Sequence, residues 1–145
     1  MNADRFTQKS MEALNAAQKL AVEYSNQSLE PEHLLAALAG QQDGLIPQLL
    51  KKLGIEPGAF ETAAVEKVSQ LPHVSGPGRD PEKIYISTAA DGVLNAAEAA
   101  ATRMKDKYIS VGHLFLGLLE KPNGAVQEIL RAVSLDKNRF MEALA

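Results

Sequence analysis

Shifted along itself by eighty residues, the chain aligns its two halves without a gap, and a repeat of that kind decides architecture before any local pattern does. Leu14-Asn15-Ala16-Ala17 falls on Leu94-Asn95-Ala96-Ala97, His33-Leu34 on His113-Leu114, Leu38 on Leu118 and Gly44 on Gly124. Leu50 falls on Leu130, Phe60 on Phe140, and Ala21 and Ala63 on Ala101 and Ala143. Twelve of the fifty-nine pairs between Phe6/Ile86 and Ala64/Leu144 are identical, and many of the rest exchange one apolar residue for another. The predicted fold is therefore all-α: two pseudo-symmetric four-helix repeats packed into one globular domain of 145 residues. Repeat one is expected over about 6–71, a linker over about 72–84, and repeat two over about 85–145.

Apolar and small residues recur at three- and four-residue steps from Phe6 through Ala13, Leu14 and Ala17 to Tyr24, and again from Ile86 through Val93, Leu94 and Ala97 to Met104. That period marks a long amphipathic helix at the start of each copy. Alanine dominates both stripes and permits close approach of helix axes, so these two helices are expected to pack near the pseudo-symmetry axis. Thr7 and Ser87 stand where an N-cap hydroxyl belongs. The second helices open at Glu30-Pro31 and at Ser110, the third follow Asp43-Gly44 and Asn123-Gly124 with an Asx side chain as cap, and the fourth begin near Pro57 and Asp136. Gly54 is expected to end the first of the third helices. The fourth helix of copy one is expected to continue through Val65 and Val68 to Leu71, whereas the chain stops at Ala145, the equivalent of Val65, which reads as a piece of a longer protein. Leu71 to Pro81 holds three prolines and two glycines, which excludes regular structure there.

Composition excludes several functions. Without cysteine there are no disulfides, thiolate metal sites or thiol nucleophiles, as a reducing cytoplasm permits. Fifteen Lys and Arg interleave with eighteen Asp and Glu, so no basic stripe invites nucleic acid. No apolar run approaches the length of a membrane span, and the N-terminus lacks an export pattern. No glycine precedes a lysine, so the phosphate-binding loop ending in Gly-Lys is missing; Gly76-Pro77-Gly78 reads as linker. No serine sits in a nucleophile elbow. His33 and His113 occupy the same point of the two copies and have no second ligand at metal spacing, which assigns them structural work near a helix start. Nothing here points to catalysis or to a metal.

The copies also differ. The second helix of copy two, Val111 to Leu119, is apolar on nearly every side, whereas copy one has Ala36, Ala37 and Ala39 where copy two has Leu116, Gly117 and Leu119. Such a helix is either central in the core or turns an apolar face to a partner, and burial is the commoner cause.

Arg5-Phe6-Thr7, the run from Glu30-Pro31-Glu32-His33 to Leu38, the loop Leu71-Pro72-His73-Val74-Ser75-Gly76, and Tyr108-Ile109-Ser110 leading into His113-Leu114-Phe115 together resemble the repeated N-terminal domain of the Clp chaperone ATPases, and among them the ClpB-type disaggregases. The resemblance covers the whole chain. It implies a non-catalytic substrate-binding domain of a cytoplasmic, ring-forming, hexameric ATPase that draws polypeptides out of aggregates. ATP and magnesium would belong to modules beyond residue 145, with no cofactor in this stretch and a monomeric isolated domain. Unfolded or aggregated polypeptides would be held in a shallow groove between the repeats. Carried over by position, that groove involves Leu94, Ala96 and the neighbourhood of His113, with Leu116 on the apolar second helix, and Thr7 and Asp106 match polar positions used in substrate handling. Read from the residues alone, Thr7 is also an N-cap, Asp106 a loop acid and Leu94 a core residue paired with Leu14. Gly112 stands where the family often carries an acid, although copy one keeps Glu32. The alternative function is docking of a folded adaptor by an unfoldase coupled to a protease.

Overall fold

The computed structural model describes residues 3–74, 76, 80 and 83–145. Ser75, Pro77, Gly78, Arg79, Pro81 and Glu82, much of the expected linker, lie outside the described residues. Copy one folds as α1 (Gln8–Glu23), α2 (Pro31–Ala39), α3 (Leu45–Lys52) and α4 (Pro57–Ser69). Copy two follows as α5 (Thr88–Arg103), α6 (Val111–Glu120), α7 (Gly124–Ala132) and α8 (Lys137–Leu144). Two strands of two residues each, β1 (Ser28–Leu29) and β2 (Tyr85–Ile86), join the all-helical frame.

The helix starts follow from side-chain acceptors. Thr7, Ser87, Asn123 and Asp136 each accept the backbone N–H three residues on, and Glu56 does the same ahead of Pro57. Copy one departs once: Asp43 does not cap α3 but takes a left-handed φ of 57°, and Gly44 becomes the N-cap, which shifts the helix start by one residue relative to α7. The α4 helix stops at Ser69, two residues short of Leu71.

The core lies along α2 and α6. Leu35, Leu38, Leu114, Phe115 and Leu118 are fully buried, and Phe115 stacks on Phe140 at 4.7 Å between ring centroids with Phe60 on its other side at 6.4 Å. The apolar character of α6 is thus core, not a partner face. The alanine stripes work differently from expectation. They seat α1 on α2 and α5 on α6, each within its own copy, and the contact across the pseudo-axis belongs to α2 and α6. The reason is visible at Gly117, where an added Cβ would stand 2.4 Å from the Val93 carbonyl oxygen and 3.3 Å from the Ala97 Cβ. Small residues on α5 let α6 press against its backbone.

The copies are also threaded through one another. β1, between α1 and α2, pairs in parallel with β2, the lead-in to α5, matching Leu29 with Ile86. Eighty positions away, Phe6 forms the same parallel bridge with Ile109. Ser87 N donates to Leu29 O at 3.1 Å and Thr7 N to Ile109 O at 3.0 Å, so each repeat closes on the first segment of the other.

Candidate functional site

A groove of about 340 Å³ lies between α1 and α5. Met11 and Leu14 line it from α1, Asp91 and Leu94 from α5, and Phe6, Ile84 and Ile86 from the two lead-in segments. Both members of three symmetry pairs, Leu14 with Leu94, Phe6 with Ile86 and Met11 with Asp91, are present, so the pseudo-axis runs through the groove. Its walls are apolar, with Asn15, Gln18 and Asp91 as polar members, and Ile86 is 53% exposed at the mouth. Such a surface selects apolar side chains by shape and area and adds few fixed hydrogen bonds.

Of the residues expected at the site, the groove contains Leu94. Ala96 lies two positions further along α5, about 200° round the helix axis, and is buried elsewhere. Leu116 is 2% exposed and sits in the core between the repeats. Thr7 is a structural residue beside the groove: its Oγ1 accepts the Ser10 N–H at 3.1 Å, and its own N–H makes the bridge to Ile109.

His113 and Asp106 form one unit away from the groove. The Ser110 N–H donates to His113 Nδ1 at 2.9 Å, which leaves the proton on Nε2 to be donated to Asp106 Oδ2 at 2.8 Å. The same unit stands in copy one, where Glu30 N donates to His33 Nδ1 at 2.9 Å and His33 Nε2 meets Asn26 Oδ1 at 2.8 Å. Each imidazole completes a capping box, with histidine in the place where glutamate or glutamine is usual. Burial pushes the His33 imidazole down to about 4, against the pull of its Glu30 backbone bond. A neutral ring is what the box requires, since protonated Nδ1 could not accept. Neither histidine faces the groove.

Glu32 is buried on α2 and accepts from Asn123 Nδ2 at 2.9 Å, pinning the start of α7 in the other copy. The matching place across the axis pairs Gly112 with Asp43, two positions that could not both be acids without repulsion. An added Cβ at Gly112 would stand 3.5 Å from the Ser110 Oγ and 3.9 Å from Leu45, two residues after that aspartate. The loop Leu71-Pro72-His73-Val74 straps the end of α1: Pro72 O accepts from Asn26 Nδ2 at 3.1 Å, His73 Nδ1 bonds Tyr24 O at 2.7 Å, and Val74 N donates to Ser25 O at 2.7 Å.

Met11, Leu14, Phe6, Ile84 and Ile86 were not legible as site residues from one copy alone. The signal was present in the repeat: a groove on a pseudo-axis must use both members of a pair, so Leu94 implies Leu14.

Fold and groove define a doubled four-helix module that presents an apolar furrow on its own pseudo-axis. The chain belongs to the Clp repeat (R) N-terminal domain family, which it matches over residues 5–133. Chaperone protein ClpB of Nitratidesulfovibrio vulgaris is 39% identical over 145 residues, 99% of this chain and 17% of that protein. ClpB of Clostridium tetani is 34% identical over 144 residues, again 99% of this chain and 17% of the relative. The Hsp104 N-terminal domain of Candida albicans superposes with a TM-score of 0.80 at 27% identity, covering 95% of this chain and 87% of the other. The chain thus spans about one-sixth of the length of its chaperone relatives, 17% in each case. Among the described residues no helix is long and apolar enough to cross a membrane.

Proposed function

We propose that this chain is the substrate-binding N-terminal domain of an ATP-dependent disaggregase, and that it holds exposed apolar segments of unfolded or aggregated polypeptides in the α1/α5 groove. The observation that carries the reading is the apolar groove on the pseudo-axis, open at Ile86. Similarity to ClpB proteins supports the chaperone context. The parent protein is then a cytoplasmic hexameric AAA+ ATPase whose ATP and magnesium sites lie in other modules, and catalysis is no part of this domain.

The expected grip is transient. Three or four apolar side chains gain roughly 1.5 to 3 kcal/mol each against an association cost of about 4 to 15 kcal/mol, which places affinity at micromolar or weaker. An affinity of that order lets a segment leave towards the pore of the ring.

The test is a titration of isotope-labelled domain with a permanently unfolded polypeptide, with its folded form as control. Amide shifts at Met11, Leu14, Leu94 and Ile86 with the unfolded chain alone support the reading. Ile86→Ser should weaken binding about tenfold, the scale of losing one buried side chain, whereas Met141→Ser, on an exposed residue away from the groove, should not. If neither form of the polypeptide binds, docking of a folded adaptor replaces this function.

A further inference from the structure

The pairing of β2 with β1 occupies one side of the strand. Tyr85 N donates to Gln27 O at 3.0 Å and Ser87 N to Leu29 O at 3.1 Å. Successive residues of a strand turn their backbone groups to opposite sides, so the Ile86 N–H and C=O and the Ile84 C=O face away from β1. Among the described residues none accepts the Ile86 N–H. The equivalent position in copy one is closed. Phe6, eighty residues earlier, makes the same parallel bridge with Ile109, but its N–H donates to Ala3 O at 3.2 Å across the short helical turn Ala3–Arg5. In copy two the residue in the place of Ala3 is Lys83, and its carbonyl is turned to the other strand, where it accepts from Gln27 Nε2 at 3.0 Å. The β2 edge is therefore left without the cap that its counterpart has.

That edge borders the α1/α5 groove. Ile84 and Ile86 share one face of the strand and both line the groove, whereas Tyr85 between them is 62% exposed and takes no part in the lining. An extended segment bonded to this edge sets every second side chain on the same face as Ile84 and Ile86, which turns them to the groove. A helix laid in the groove satisfies its own backbone and leaves the edge unused. The extended form alone answers both the apolar wall and the unpaired backbone, and it continues the sheet that already joins the two copies.

We propose that a bound polypeptide adds a third strand along the β2 edge, so that the groove takes extended stretches with apolar residues at alternate positions. This selectivity rests on the α1/α5 groove being the substrate site. The class so chosen, apolar segments of high strand propensity, is the class that drives aggregation through strand edges.

The probe is an end-blocked seven-residue peptide alternating valine and threonine, beside two versions N-methylated at the valines or at the threonines, each of which blocks one strand edge. At saturation the parent peptide should slow hydrogen exchange of the Ile86 amide about tenfold or more and shift the amides of Leu14 and Leu94. One of the two methylated versions should bind about tenfold or more weaker. Ile86→Pro removes an N–H that β1 does not use, so it should melt at the temperature of Ile86→Val and bind the peptide about fivefold weaker, the scale of one backbone hydrogen bond. Shifts at Leu14 and Leu94 without protection of Ile86, or equal binding of all three peptides, overturn the added strand and leave the groove standing as the substrate site. No response at Ile86, Leu14 or Leu94 to the peptide or to an unfolded polypeptide overturns both.

Discussion

At residue scale, the two histidines show how one capping box is solved twice with different partners. Asn26 and Asp106 are equivalent and offer the same acceptor oxygen to His33 and His113. Asp106→Asn should therefore leave the urea midpoint nearly unchanged, whereas Asp106→Ala orphans the buried Nε2–H and should cost about 1 to 2 kcal/mol. His33 makes stability depend on pH. Its folded value of about 4 lies below the ordinary 6.5 of an imidazole, so the unfolded chain binds the proton more readily between the two. That contribution is complete above about pH 6.5 and is lost as pH falls towards 4, on the order of 3 kcal/mol in full. Burial raises the Glu30 carboxyl and gives a slope of opposite sign, so the readout is the difference from a control. His33→Gln keeps an acceptor for the cap N–H, and its urea midpoint should fall less between pH 6.5 and 4 than that of the parent chain. Parallel profiles would show that His33 does not carry the effect.

At element scale, four helices end in the same left-handed turn, at Ser25, Gly54, Lys105 and Ser134. In each, the residue after the turn bonds the carbonyl five residues back, as Ile55 does with Leu50 and Leu135 with Leu130. Only Gly54 is a glycine, and it announced its helix end in the sequence; the other three are held left-handed by their surroundings, which no local pattern reveals. Ser134→Gly should relieve that strain and raise stability by up to about 1 kcal/mol in a thermal melt. Gly117 predicts the reverse. Glycine to alanine inside a helix ordinarily stabilises by about 0.5 to 1 kcal/mol, yet here the new Cβ would meet the Val93 carbonyl. Gly117→Ala should destabilise by about 1 to 3 kcal/mol, the cost of overpacking a tight contact. Helix starts were legible because a cap is a local device of three or four residues, as at Thr7, Ser87 and Asn123. The Asp43 start was misread because its neighbour Gly44 could take the cap position while Asp43 adopted the turn.

At the scale of the whole molecule, the reciprocal bridges Leu29/Ile86 and Ile109/Phe6 join the copies beyond ordinary packing. Neither repeat closes its own first connection without the other, so the two should unfold together. Urea transitions followed by far-UV circular dichroism and by a fluorescent probe placed in either copy are expected to coincide, and two separated transitions would show independent repeats. The sequence by itself determined the doubled helical plan, the caps and the heart of the core, because periodicity, cap chemistry and an eighty-residue register are properties of the chain read in order. Only the tertiary structure decided that α2 and α6, not α1 and α5, meet across the axis, that Leu94 and Leu14 line one groove while Ala96 and Leu116 are buried elsewhere, and that a pocket stays open beside Ala59 and Ala132. The physical reason is that each of these depends on which residues distant in sequence compete for the same space, and Gly117 beside Val93 settles that competition across the fold.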